Sequence, residues 1–230
     1  MTEHEAANVE RYFDEMADGY DARIQELGWV VGGTLADALV AYPGTYHSVV
    51  DLGAGTGGTI SVIKEHVKPL PAEITAVDVS QGMLDRLVAK HGADSGVHPV
   101  RMPITAFLED ARAQGRKFDL GTAIAVLGFM PAEEGRNAIG MMADCLNPGG
   151  RFIFTFDPII THHPVQDGRY TWSADMGHYR QRPDELLGTL QDGGLHVREF
   201  ELLCPRPIPQ PEELAHYISG FVVAEKPITG

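Results

Sequence analysis

The chain has 230 residues and a formal net charge of −14, from 32 acidic side chains against 18 Lys and Arg. That length suits one α/β domain with a sizeable core. The acidity and the lack of any Lys/Arg-rich run set aside nucleic acids and membrane surfaces as partners, because binding to phosphates rests on basic side chains. The two cysteines, Cys145 and Cys204, read as reduced thiols of a cytoplasmic protein. The acidic Met1-Thr2-Glu3-His4-Glu5 segment lacks the apolar core of a signal peptide, and no apolar run approaches membrane-spanning length.

In chain order, residues 5–42 read as helices ahead of a sheet. Val9, Tyr12, Phe13 and Met16 recur at i, i+3, i+4, i+7, and Leu35, Leu39 and Val40 mark a second helix that ends before Pro43-Gly44. Strand-like runs follow near 47–52, 73–79, 97–101, 118–126, 151–157, 195–203 and 220–226. Helical patterns alternate with them at 59–67, 80–90, 104–113, 132–146 and 183–193. Such alternation predicts a mostly parallel sheet with helices on both faces. The proline-rich stretch from Cys204 to Pro211 joins the last two strands and can form neither ladder nor helix. There is no internal repeat, so residues 1–230 are expected to form a single domain, with 1–46 as an N-terminal helical cap. Residues 158–182 are too long for an ordinary αβ connection and are rich in His and aromatics, which marks them as a functional loop insertion.

The most informative stretch is Val49-Val50-Asp51-Leu52-Gly53-Ala54-Gly55-Thr56-Gly57-Gly58. Two β-branched residues feed an acid, then a glycine-rich turn, then a helical pattern. Glycine lets the backbone take positive φ and lets a ligand approach the main chain. The helix that follows turns unpaired N–H groups and a partial positive charge toward that ligand. Gly53, Gly55 and Gly58 satisfy G-x-G-x-x-G, and Asp78 lies 20 residues beyond Gly58, as a dinucleotide site requires. Asp51 argues the other way. An acid at the mouth of the strand repels a pyrophosphate but suits a ligand carrying a sulfonium and an ammonium.

Four later stretches extend the pattern: Ala76-Val77-Asp78-Val79-Ser80-Gln81-Gly82-Met83-Leu84, then Phe118-Asp119-Leu120 through Phe129-Met130-Pro131, then Leu146-Asn147-Pro148-Gly149-Gly150-Arg151-Phe152-Ile153-Phe154, and finally Phe221 to Pro227. Together with the glycine turn, in this order, they resemble the motifs of the class I S-adenosylmethionine-dependent methyltransferases along nearly the whole chain. The resemblance implies a seven-stranded, Rossmann-like, doubly wound α/β sheet, mostly parallel with an antiparallel last strand, preceded by N-terminal helices. One departure is plain. Val97-His98-Pro99-Val100-Arg101-Met102-Pro103-Ile104 lacks the acid that many relatives carry after the third strand, and Arg101 occupies that neighbourhood. Met102-Pro103-Ile104 is left to pack on the adenine.

By the same resemblance, Gly53 and Gly55 face the methionine portion of S-adenosyl-L-methionine, and Asp51 and Ala54 belong to the same cofactor site. Asp78 takes the ribose, Val79 and Met83 the adenine, and Ala123 and Ile124 border the reacting centre. Tyr12 and Tyr20 match aromatic positions that close over the cofactor, and they fit plain helix packing equally well. An acceptor that must lose a proton needs a base near neutral pH, for which His162, His163 and His178 on the 158–182 insertion are the candidates. A surface role for His178 and turn capping by His162-His163 are the plainer alternatives. Tyr170, Trp172 and Tyr179 are candidate walls of the acceptor site, and Arg169 and Arg180 candidate carboxylate clamps. The apolar exit Val126-Leu127-Gly128-Phe129-Met130 offers no oxygen ligands, so no metal is expected. These readings describe a methyltransferase acting on O or N of a small-molecule acceptor, in secondary metabolism, with S-adenosyl-L-homocysteine as product. A cofactor-binding protein of the same fold that catalyses another reaction, or acts as a sensor, is the alternative. The sequence leaves the oligomeric state open, a dimer included.

Overall fold

The computed structural model describes residues 3–26, 31–92, 96–159, 169–173, 176–203 and 219–228. Helices α1 (Glu3–Met16), α2 (Tyr20–Glu26) and α3 (Val31–Ala41) come first. Strands β1 (Ser48–Leu52), β2 (Glu73–Asp78), β3 (Val97–Arg101), β4 (Phe118–Ala123) and β5 (Leu146–Phe156) then alternate with α4 (Gly58–His66), α5 (Gln81–His91), α6 (Ile104–Ala113) and α7 (Ala132–Asp144). A hairpin of β6 (Arg169–Ser173) and β7 (Met176–Tyr179) leads to α8 (Pro183–Asp192), β8 (His196–Leu203) and β9 (Ser219–Glu225).

The main sheet has seven strands in the order β3-β2-β1-β4-β5-β9-β8. The first five run parallel, and β9 is antiparallel to both of its neighbours. Each inner strand is apolar on both faces because helices cover both. Val50 and Leu52 of β1 point to one core with Phe107, Leu108, Ile139 and Met142, while Val49 points to the other with Leu39, Ile60, Ile63 and Leu87. The same alternation separates Phe152, Phe154 and Phe156 from Ile153 on β5, and Val222 and Ala224 from Phe221 and Val223 on β9. That is the period of 2 expected of strands buried on both sides. Chain order places β2 on one side of β1 and β4 on the other, and this reversal opens a crevice at the carboxyl ends of those strands, where open α/β sheets bind ligands.

Several element boundaries differ from the sequence expectation. The N-terminal pattern resolves into three helices, since α1 stops at Met16 and a short turn through Gly19 starts α2. Strand β4 ends at Ala123 instead of 126, because the Ala125 N–H turns to Thr155 Oγ1 (2.7 Å) and Ala125 adopts φ 56. A 3₁₀ turn over Leu127–Phe129 follows. Strand β5 starts earlier than expected, at Leu146, whose pairing with Phe118 precedes an irregularity in the ladder. The 158–182 insertion is not wholly loop: β6 and β7 pair antiparallel within it, with Tyr170 opposite His178. His162, His163 and Cys204 lie outside the described residues.

Candidate functional site

The turn after β1 is built by its glycines and pinned from below. Gly53, Gly55 and Gly57 have φ of 73°, 51° and 81°. The N–H groups of Gly53 and Ala54 both donate to Val77 O, at 2.8 and 2.9 Å. A Cβ on Gly53 would lie 2.4 Å from Val126 Cγ2, whereas one on Gly55 would meet nothing within 4 Å. The turn therefore packs tightly on one side and faces open space on the other. Asp78 ties it to the next helix: its Oδ2 accepts from the Gly55 N–H (2.8 Å) and its Oδ1 from the Ser80 N–H (2.9 Å). Each oxygen keeps lone-pair capacity for a further donor. Burial pushes the Asp78 carboxyl above its usual range, and the backbone donors of Ser80, Gly55 and Val79 oppose that rise.

The open space is a cavity in two lobes on either side of the Gly53–Gly55 turn, which share Tyr20, Gly53, Gly55, Ile124 and Ala125 in their walls. The first, about 170 Å³, runs from Asp78, Val79 and Met83 past Pro103 and Ile104 to Val126, Phe129, Met130 and Glu134. The second, about 340 Å³, lies over Ala54, Thr56 and Thr59, with Asp21, Gln25 and Lys90 at its rim. Helices α1 and α2 form the roof. The Phe13 ring meets Phe129 edge-on with centroids 5.0 Å apart, and meets Tyr20 at 6.3 Å. The Tyr20 hydroxyl is pushed up to about 12, first by burial and then by the charges of Asp78 and Asp21, so it stays a neutral phenol.

Acids on the roof hold it down. Asp14 Oδ1 accepts from Ser80 Oγ (2.5 Å) and from the Gly82 N–H (2.9 Å), the first turn of α5, and these bonds draw its carboxyl below the usual range. Ser80 Oγ in turn caps that helix by accepting from the Met83 N–H (3.1 Å). Asp21 Oδ1 accepts from Thr56 Oγ1 (2.5 Å), and Lys90 Nζ lies 2.6 Å from Asp21 Oδ2. Glu10 pairs with Arg101, whose Nε also donates to Val79 O (3.2 Å). Arg101 thus fastens α1 to the cavity rim.

Of the residues expected to hold a cofactor, Tyr20, Gly53, Gly55, Asp78, Val79, Met83 and Ile124 line the cavity, and Ala54 lines its second lobe. Tyr12, Asp51 and Ala123 do not. Tyr12 packs edge-on against Phe13 at 5.3 Å. Ala123 is fully buried. Asp51 sits behind the turn, 1% exposed: Thr122 Oγ1 donates to its Oδ1 (2.7 Å), while Oδ2 has no partner. Burial pushes its carboxyl up to about 7, against the Thr122 hydrogen bond and with help from the charge of Asp78. Sequence reasoning missed Phe13, Thr56, Thr105, Ala125 and Glu134 as wall residues. The periodicity of α1 singled out Phe13 as a packing residue only, Thr56 and Ala125 fall inside the quoted stretches without a role of their own, and Thr105 and Glu134 lie outside them. His178 lies on β7, and no cluster of His, Cys, Asp or Glu among the described residues is placed to hold a metal ion. No helix among the described residues is long and apolar enough to cross a membrane.

A seven-stranded sheet with an antiparallel β9, a glycine turn after β1 and an acid closing β2 define the class I S-adenosylmethionine-dependent methyltransferase fold. Residues 49–150, which carry β1 to the start of β5, are similar to the model of a methyltransferase domain family. Magnesium protoporphyrin IX methyltransferase from Synechocystis PCC 6803, solved with bound S-adenosylhomocysteine, superposes with a TM-score of 0.69 at 18% identity, covering 96% of this chain and 99% of that one. An S-adenosylmethionine-dependent methyltransferase from Mesorhizobium loti superposes with a TM-score of 0.65 at 21% identity, over 86% and 99%. At these identities the likeness is one of fold. Among curated proteins, carboxy-S-adenosyl-L-methionine synthase of Pseudomonas savastanoi pv. phaseolicola is 26% identical over 155 residues, 64% of this chain. The match spans only 59% of that relative's length.

Proposed function

We propose that this chain transfers a methyl group from S-adenosyl-L-methionine to an oxygen or nitrogen of a small-molecule acceptor, in secondary metabolism and in the cytoplasm, and releases S-adenosyl-L-homocysteine. The observation that carries the reading is the cavity over the Gly53–Gly55 turn, with Asp78 at its edge. The residues present fit such a ligand. Gly55 leaves open space where any side chain would intrude, Asp78 keeps acceptor capacity for ribose hydroxyls, and Val79, Met83, Pro103 and Ile104 offer an apolar slot for the adenine. Asp51 Oδ2 behind the turn has no hydrogen-bond partner among the described residues, and the ionised form of this carboxyl adds negative potential there. That favours a ligand with an ammonium and a sulfonium over one with a pyrophosphate.

The cofactor supplies a methyl group already activated on a sulfonium. The chain's own tasks are to align the acceptor, exclude water and, for a hydroxyl, take up a proton. The roof of Phe13 and Tyr20 serves the exclusion, and Phe129 and Met130 form an apolar acceptor wall. His162, His163 and His178 are the proposed bases. Loss of turnover in one of the three single alanine variants would identify it, and full turnover in all three would leave alignment alone to carry the step.

Titration calorimetry with S-adenosyl-L-homocysteine and, separately, NADH tests the cofactor; NADH binding without a response to the former sinks the reading. Detection of a methylated product by mass spectrometry across an acceptor panel tests the transfer. A second reading has one specific support. The curated relatives are named for synthesis of carboxy-S-adenosyl-L-methionine, so a reaction that alters the cofactor itself is the rival. Incubation with S-adenosyl-L-methionine and a carboxylate donor, followed by mass analysis of the cofactor, separates the two.

A further inference from the structure

Among the described residues, Asp51 Oδ2 is the one buried side-chain oxygen or nitrogen without a hydrogen-bond partner. A half-satisfied buried carboxyl costs stability. An asparagine would accept from Thr122 Oγ1 just as well, so that hydrogen bond alone does not call for an acid. Alternation along β1 sets Asp51 on the face of Val49, and Thr122 shares that face of β4 with Leu120. On this face Leu35, Ala54, Val62 and Ile124 belong to the core or pack on it, and they also line the second lobe of the cavity. Asp51 thus stands beneath that lobe, two residues from Gly53, which lines both lobes. The residues opposite it are Ala76 on β2 and Thr122 on β4, and Asp78 is the charged group that acts on it. Farther out, Asp21 of α2 and Lys90 of α5 pair with each other at the rim of the lobe.

From this placement we infer that Asp51 is a specificity-determining residue, which lets the site hold the sulfonium form of its cofactor and release the neutral thioether product. The inference rests on the cofactor reading above. S-adenosyl-L-homocysteine differs from S-adenosyl-L-methionine by one methyl group and by the positive charge on sulfur. Asp78 and the apolar slot serve the ribose and the adenine, which the two forms share. A ligand that fills both lobes crosses the Gly53–Gly55 turn, and a positive charge on it there acts on Asp51 across an apolar floor. In such surroundings the attraction between opposite charges is stronger than in water. Asp51 therefore distinguishes the one part of the ligand that the reaction changes. Once the methyl group has gone, the sulfur no longer attracts the carboxylate, and the product is held by the shared parts alone.

The test titrates the full chain and its Asp51→Asn variant in a calorimeter at pH 8.5, with S-adenosyl-L-methionine and, separately, S-adenosyl-L-homocysteine. The quantity read is the ratio of the two dissociation constants, in which interactions common to both ligands cancel. That ratio is expected to favour the sulfonium form about tenfold more in the wild type than in Asp51→Asn. An unchanged ratio in a folded variant, or binding of S-adenosyl-L-homocysteine without S-adenosyl-L-methionine, overturns the inference while the cofactor reading stands. Should the variant fail to fold, the wild type at pH 5.5 takes its place, because burial holds the Asp51 carboxyl protonated there. The ratio should then fall by a similar factor from pH 8.5 to pH 5.5, and equal ratios at the two values overturn the inference. If neither ligand binds, the underlying reading fails first and the inference falls with it.

Discussion

Gly53 and Gly55 sit in one turn, yet a methyl group added to each would act differently. At Gly53 the new Cβ meets Val126 at 2.4 Å while the backbone is held at φ 73°. Gly53→Ala should therefore cost about 2–4 kcal/mol of stability, from left-handed backbone strain and overpacking together. At Gly55 the φ of 51° carries the strain alone, because nothing lies within 4 Å. Gly55→Ala should cost only about 1–2 kcal/mol, and its methyl group would stand in the cavity. Denaturant unfolding and calorimetry with S-adenosyl-L-homocysteine together read the contrast: a folded Gly55→Ala that has lost binding is the expected result, and one that binds normally would show that the ligand does not approach this face of the turn. Asp78→Ala should weaken the same binding by about 1–3 kcal/mol, as loss of a charge-assisted pair does. That replacement also frees the Gly55 and Ser80 N–H groups, so Asp78→Asn is the control that keeps an acceptor there.

The elements that bring these residues together were legible to different degrees. Strands β1, β2, β4, β5 and β9 announce themselves by β-branched and aromatic runs bounded by turns, and the glycine turn by its spacing. The roof was only half legible. In α1 the i, i+3, i+4, i+7 stripe of Val9, Tyr12, Phe13 and Met16 reads the same whether it faces a core or a ligand, and the structure divides it, with Val9 and Phe13 on the cavity and Tyr12 beside it. Ala125 gave no signal at all, since an alanine with φ 56 is fixed by the Thr155 hydrogen bond from another strand. What holds the roof is a matter of named pairs, and it can be loosened without touching the sheet. Asp14→Ala removes the bonds to Ser80 and Gly82, and Asp21→Ala those to Thr56 and Lys90. Each is expected to cost roughly 1 kcal/mol, the net worth of such hydrogen bonds. Amide exchange should quicken in α1 and α2 while the β1 and β4 amides stay protected, and ligand dissociation should speed up by roughly tenfold in the double variant. Exchange that rises equally in sheet and roof would mean that the helices are part of the global folding unit and not a separable cover.

At the scale of the whole molecule, two acids, the buried Asp51 and the half-buried Asp157, set the pH response. Burial pushes the carboxyls of Asp51 and Asp157 each up to about 7, for Asp157 in spite of the Arg180 charge beside it. An acid whose folded value lies above its unfolded one binds more protons in the folded state between the two. Stability is then fully present below about pH 4, falls as pH rises from there to about 7, and levels off above. A rise of this size corresponds to at most about 4 kcal/mol for one fully buried group. The depressed carboxyls of Asp14, Asp21, Asp119 and Glu225 work in the opposite sense, and their contribution is lost as pH falls below the ordinary carboxylate range. The net charge of −14 adds self-repulsion that grows with pH. Stability should therefore peak in mildly acidic solution, with a higher unfolding free energy at pH 5.5 than at pH 8.5. Asp51→Asn isolates one part of this. It keeps a side-chain acceptor for Thr122 Oγ1 and removes the ionisable group, so it should flatten the slope between pH 5.5 and 8.5 and raise stability at the alkaline end. Urea unfolding of both proteins at the two pH values is the measurement. A wild type equally stable at both, or an Asp51→Asn curve parallel to it, would mean that the Asp51 carboxylate is stabilised as an anion in the folded chain by a group not yet assigned to it.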